Sequence, residues 1–148
     1  KRYGDELTQL ALLREKHPRN RLVWLETGST SIRAGRYAEA ERFLDEGLRR
    51  FADDQRPRMF GEDALWYYKR GTARAWNGQR ADAEPDLRKA LSLPGRKWVY
   101  ARAHLELGRI AVNAGNKAAA RPEFQQAIAL SDNDNDPGTA EEARRLMK

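Results

Sequence analysis

Three stretches of the chain share one skeleton: AGRYAEAERFLDEGL from Ala34 to Leu48, NGQRADAEPDLRKAL from Asn77 to Leu91, and AGNKAAARPEFQQAI from Ala114 to Ile128. Aligned on Gly35, Gly78 and Gly115, each has a second glycine seven residues earlier, at Gly28, Gly71 and Gly108. Five residues after the anchor stands alanine (Ala40, Ala83, Ala120), and nine after stands a large apolar residue (Leu44, Leu87, Phe124). Twelve after is a small residue (Gly47, Ala90, Ala127), and thirteen after an aliphatic one (Leu48, Leu91, Ile128). A skeleton that returns at a near-fixed interval implies stacked copies of one supersecondary unit, each unable to bury its apolar face alone.

The columns step by four, as one face of an α-helix does: Ala40, Leu44 and Leu48 after the anchor, and Trp24, Gly28 and Ile32 before it. The same upstream stripe returns as Tyr67, Gly71 and Ala75, and as His104, Gly108 and Val112. Each unit therefore reads as two helices around a turn at the anchor glycine, which takes the positive φ that ends a helix. The earlier glycine lies inside a helix, where it costs about 1 kcal/mol relative to alanine. Its presence in all three copies predicts a neighbour packed too close for a Cβ.

The pattern resembles the tetratricopeptide repeat, whose unit runs Trp-x-x-Leu-Gly-x-x-Tyr, then Ala-x-x-x-Phe. Residues 21–54 carry Trp24, Gly28, Tyr37, Ala40 and Leu44 in that register; residues 64–97 carry Tyr67, Gly71, Ala83 and Leu87; residues 101–134 carry Leu107, Gly108, Ala120 and Phe124. Thr27 and Arg70 replace the family leucine, and Ser31, Arg74 and Ala111 its tyrosine. Pro85 and Pro122 fall early in the second helices and predict distorted or delayed first turns. The resemblance implies an all-α fold, a right-handed α-solenoid of helix-turn-helix repeats in a single domain.

Anchor spacings of 43 and 37 residues exceed the family unit of roughly 34. The extra residues fall at 55–63, where a long loop or lengthened helix is expected, and between Pro94 and Trp98. Residues 1–20, with Tyr3, Leu7, Leu10 and Leu13 on one face, read as a half repeat or a capping helix. Residues 137–148, with Ala140, Ala143, Leu146 and Met147, read as a last capping helix. The half repeat, together with a first residue that is not Met, leads to the expectation that the chain is part of something longer.

Zero cysteines exclude a disulfide framework, a thiolate metal site and a thiol nucleophile. No apolar run approaches the roughly 20 residues of a membrane span. The +6 charge comes from 21 Arg and 7 Lys against 22 acids, mixed along the chain, as where Arg49 and Arg50 adjoin Asp53 and Asp54. Such mixing describes a solvated helical face better than a nucleic-acid stripe. The arginine excess also suggests a GC-rich bacterial source.

No phosphate-binding glycine loop, serine elbow or HExxH motif is present, so no catalytic, cofactor or metal residue is proposed. The run DNDND, Asp132–Asp136, fails as a calcium loop, because its sixth position is Pro137 and its twelfth Ala143. Asp136 is expected instead to cap the next helix. His104, in the column of Trp24 and Tyr67, is expected to pack or to bond between helices.

The resemblance further implies a concave wall built from the first helices, with positions two, five, nine, twelve and thirteen of each unit facing the ligand. These are Leu22, Leu25, Ser29, Ile32 and Arg33; Leu65, Tyr68, Thr72, Ala75 and Trp76; and Arg102, Leu105, Arg109, Val112 and Asn113. The candidate contacts among them are Arg33, Tyr68, Thr72, Trp76, Arg102, Arg109 and Asn113, which combine aromatic anchors with guanidinium donors. The arginines have no acid at these wall positions, although Glu26 and Glu106 adjoin them. The expected partner is a protein or peptide segment of acidic character. Leu25 and Ser29 stand where a chaperone carboxylate clamp needs Lys and Asn, so that ligand is not expected. Self-association through terminal helices is the alternative, ahead of RNA or another polyanion.

Overall fold

The computed structural model describes residues 2–148, among which there are eight helices and no strand. They are α1 (Arg2–Lys16), α2 (Arg21–Arg33), α3 (Tyr37–Asp53), α4 (Glu62–Trp76), α5 (Arg80–Ser92), α6 (Lys97–Asn113), α7 (Lys117–Asn133) and α8 (Pro137–Met147). Helices α2 and α3, α4 and α5, and α6 and α7 form antiparallel hairpins stacked in chain order.

The three tight turns are built alike. Gly35, Gly78 and Gly115 take φ of 74°, 80° and 77°. The following N–H, of Arg36, Gln79 or Asn116, donates at 2.8 Å to the carbonyl five residues back, on Ser31, Arg74 or Ala111. This closure satisfies a helix-end carbonyl and sends the chain back antiparallel. The second helix then starts two residues after each glycine, at Tyr37, Arg80 and Lys117. The expected delay at Pro85 and Pro122 does not occur. Both prolines lie beyond the first turn, inside helices that run on through them, and each forfeits only the one bond its missing N–H would have made.

The inner glycines meet the large residue of the following helix. A Cβ on Gly28 would lie 2.5 Å from Leu44, one on Gly71 2.8 Å from Leu87, and one on Gly108 closer still to the edge of the Phe124 ring. The small column does the same for the next hairpin: Trp66 of α4, fully buried, fills the space where a Gly47 side chain would stand. Glycine and a large apolar residue are thus a matched pair in each unit, and the core continues from hairpin to hairpin.

The departures from the family's apolar positions are compensated locally. Thr27 and Ser31 bond the carbonyls of Val23 and Thr27 one turn back, and Arg14 of α1 donates to the Thr27 hydroxyl at 2.8 Å. Arg70 forks onto Asp86 at 2.8 Å and reaches Asp45 at 3.0 Å. Arg74 joins Asp86, Asp45 and Glu41. Two guanidiniums and three acids therefore bridge α3, α4 and α5 where leucine and tyrosine would have packed.

The extra residues at 54–61 form a loop rather than a longer helix. Beneath it lies an ion triad: Arg21 contacts Glu62 at 2.7 Å and Asp54 at 2.9 Å, with all three side chains no more than 4% exposed. Arg21 also donates to the Pro57 carbonyl, and the indole N–H of Trp66 donates to Glu62. The triad ties together the start, middle and end of the loop.

Along their backbones α2 approaches α4, α4 approaches α6, and α6 approaches α8, whereas α3 and α5 do not approach, and α5 meets α7 only through the Arg88–Glu123 pair. The side on which successive hairpins approach each other is the inside of the curve. Helices α2, α4, α6 and α8 therefore form the inner wall.

Candidate functional site

The wall formed by α2, α4 and α6 is charged. Arg33, at the end of α2, donates to Glu26 at 3.1 Å and to the Thr30 hydroxyl at 2.7 Å, with Glu6 of α1 at 3.8 Å. Arg102 of α6 pairs with Asp136, the residue capping α8, at 3.3 Å and lies 5.0 Å over the Trp98 ring. Arg109 pairs with Glu142 of α8 at 2.8 Å and lies 5.1 Å over the Trp76 ring. Glu26 and Glu106, the acids adjoining the wall positions, do reach Arg33 and Arg109, and Asp136 and Glu142 add partners for Arg102 and Arg109. Asp136 and Glu142 stand 34 and 33 residues after their partners, one repeat along, where α8 continues the wall.

Between Arg33 and Arg102 sits a residue absent from the candidate set. Lys69 of α4 is half-buried, and its amine makes no ion pair among the described residues; its nearest aromatic face is Tyr68, at 5.8 Å. Burial, and then the repulsion of Arg33 and Arg102, brings its pKa down to about 8, with Glu26 opposing only in part. Three cations thus converge on the middle of the wall, and the central one has no counterion. The signal for it was the sixth position of each unit, which reads Glu26, Lys69 and Glu106 and falls on the same helical face as position nine.

Tyr68 and Thr72 are buried between α4 and α6 and offer a partner little surface. Tyr68 packs edge-on against Trp98, and burial pushes its hydroxyl up to about 12. Trp76 is 49% exposed, with Tyr37 stacked on it at 5.8 Å. Trp76, Arg80, Arg109, Ile110 and Asn113 line a cleft of about 270 Å³ that Glu106 also borders. Glu106 is buried, which raises its pKa against the pull of Arg109 at 3.6 Å. Asn113 is exposed at the rim and accepts from Arg80 through its carbonyl. The wall thus offers a cationic centre and, about two turns away along α4 and α6, an aromatic cleft.

His104 bonds between helices, its Nδ1 2.6 Å from Glu123 of α7, which also takes Arg88. Asp136 accepts from the Thr139 N–H and hydroxyl as the α8 cap. Among the described residues α8 touches only α6 and α7, and α1 reaches the wall at α2, where Glu6 stands 3.8 Å from Arg33.

A family model for the tetratricopeptide repeat matches residues 7–55 and 68–138. Two solved crystal structures, both of MamA, are similar to the chain at 19% sequence identity and a TM-score of 0.69. The first comparison covers 98% of this chain and 84% of that one, and the second 97% and 78%. At that identity the likeness is one of fold. No curated protein matches the sequence.

Proposed function

The chain belongs to the tetratricopeptide repeat family, and from that premise we propose that it is a non-catalytic module that holds an acidic segment of a partner protein against its inner wall. Arrays of this family generally mediate contacts between proteins. The repeats are residues 21–54, 64–97 and 101–134, flanked by the helices of 1–20 and 137–148, and the module serves within a larger scaffold or adaptor.

The observation that carries this reading is Lys69, a half-buried ammonium with no counterion, held between Arg33 and Arg102. A carboxylate from outside would relieve the repulsion among three cations, and guanidiniums already ordered by their own acids lose little freedom in binding it. Trp76, Arg109 and Asn113 offer the next contact along, for an aromatic or aliphatic side chain beside the acidic one.

The test is a pulldown with wild-type bait and with Lys69→Met, alongside Arg102→Glu/Arg109→Glu, with helicity checked by circular dichroism. Partner recovery is expected to fall at least about tenfold for both, since hydrogen bonds to charged groups contribute roughly 1.5–3 kcal/mol. Full recovery by folded variants places the contact elsewhere.

One observation favours self-association as the second reading. Helix α1 has no fully buried residue and leaves Leu12 and Leu13 exposed. Light scattering that stays monomeric across concentration removes it.

A further inference from the structure

The loop between α3 and α4 ends in two large apolar side chains with no cover, Met59 at 55% and Phe60 at 65% exposure. Ordinarily such residues would fold back onto the core. Here the backbone does not permit it. Arg21 holds Asp54, the Pro57 carbonyl and Glu62 at once, and the Met59 N–H donates to Glu62 at 3.3 Å. Arg58 lies 3.9 Å over the Phe51 ring and donates to the Phe51 carbonyl. At the loop's end Gly61, φ 76°, rests on the α5–α6 connection, where an added Cβ would lie 3.0 Å from the Gly95 Cα. The tip is therefore held outward.

The surroundings of the tip are cationic. Every connection from a second helix to the next first helix emerges at the same edge of the array, opposite the tight glycine turns. Around the tip this edge carries Arg19, Arg56, Arg58, Arg96 and Lys97, all exposed, while its exposed acids Asp132 and Asp134 stand at the α7–α8 connection, at the far end of the array. Arg19, Arg50 and Arg56 also border a depression of about 570 Å³ beside the loop, whose exposed acid is Asp53. Asp54 is buried in the triad, and Asp63 stands 4.0 Å from Arg58.

A convex apolar tip ringed by cations is complementary to an amphiphilic surface with anions outermost and hydrocarbon beneath. A pocket in a folded protein would have to supply a matching concavity, whereas a fluid surface adapts to two flexible side chains. We propose that this edge docks on an anionic lipid bilayer, with Met59 and Phe60 entering the acyl boundary and Arg19, Arg56, Arg58, Arg96 and Lys97 facing lipid phosphates. The inner wall, at the middle of the helices, stays free for a protein partner. The inference is independent of the wall reading.

Flotation with phosphatidylcholine vesicles, with and without phosphatidylglycerol, tests it. The protein is expected to float with the anionic vesicles only, and about 10 mM inorganic phosphate leaves flotation in place because a free anion cannot replace the acyl contact. Met59→Ser/Phe60→Ser, at exposed positions, keeps the helical spectrum and weakens binding about tenfold or more. Arg56→Glu/Arg58→Glu abolishes it at physiological salt. The wall variant Arg102→Glu/Arg109→Glu floats like wild type, which separates failure here from failure of the partner reading. Absence of flotation with anionic vesicles overturns the proposal, and so does flotation unchanged by the Met59/Phe60 substitution.

Discussion

Replacing Arg21 by methionine removes the guanidinium from a site where two carboxylates stay buried. In the wild type, burial pulls Glu62 up, but Arg21, the Met59 N–H and the Trp66 indole bring it below the ordinary value. The Arg56 N–H and then Arg21 hold Asp54 low against its own burial. Breaking a buried ion pair on one side costs about 3–5 kcal/mol. The remaining N–H donors stay with both acids, so the lower end applies, and Arg21→Met should cost about 3 kcal/mol at pH 7, or about 9 °C in Tm for a chain of this size. The pH dependence is the sharper assay. With both pKa values depressed, the wild-type contribution is complete above the ordinary carboxylate range and is lost as pH falls through the folded values. In the variant, burial acts on Glu62 without the guanidinium and its folded value rises, while the Arg56 N–H, the largest influence on Asp54, still holds that acid low. The variant therefore gains less stability than the wild type as pH rises through the Glu62 values. The deficit against wild type should be largest near neutrality and shrink toward about pH 4.5. Urea titrations at pH 7 and pH 5, followed by circular dichroism and by tryptophan fluorescence, measure it. A deficit below about 1 kcal/mol at pH 7, or one equal at both pH values, refutes the reasoning.

Gly108→Ala should destabilise by about 1–2 kcal/mol, because the Phe124 ring must shift by more than the helix-propensity gain of alanine returns. Gly4→Ala, with open space around its site in α1, should stabilise by about 0.5–1 kcal/mol, and thermal melts of the pair decide the point. Lys69 should titrate in the folded protein near its depressed value of about 8, as read by NMR of the labelled amine. A folded pKa below the unfolded one makes this residue's contribution to stability rise with pH between about 8 and 10.4. A midpoint near 10.4 refutes its placement among the cations.

The turn glycines, the packing glycines and their large partners were legible in the sequence because each is a one-residue requirement recurring at a fixed offset. The turn needs positive φ at Gly35, and the close approach needs no Cβ at Gly28. The long loop was legible as an excess over the repeat. The charge pairing was not, because Arg102 and Arg109 find their acids on a neighbouring helix. It would have been visible had α8 been read as a further wall helix, with Asp136 and Glu142 one period beyond. Pro85 and Pro122 misled because their distance from the helix start, not their presence, decides their effect. Lys69 escaped notice because its chemistry comes from what surrounds it in space, and α2 and α6 contribute those neighbours from far away in the chain.

Among the described residues, the outer helices α3, α5 and α7 do not approach along their backbones, and the Arg88–Glu123 ion pair is what joins α5 to α7. Changing the curvature of the array therefore slides α3 over α4 and α5 over α6, and strains on the outside chiefly the long side chains of Arg88 and Glu123. Stiffness resides on the inner side, where α2, α4 and α6 meet, and the outside is compliant. The molecule is built like a leaf spring, whose width at the wall holds steady while its ends flex, so guests of differing length can be accommodated by bending rather than by unfolding.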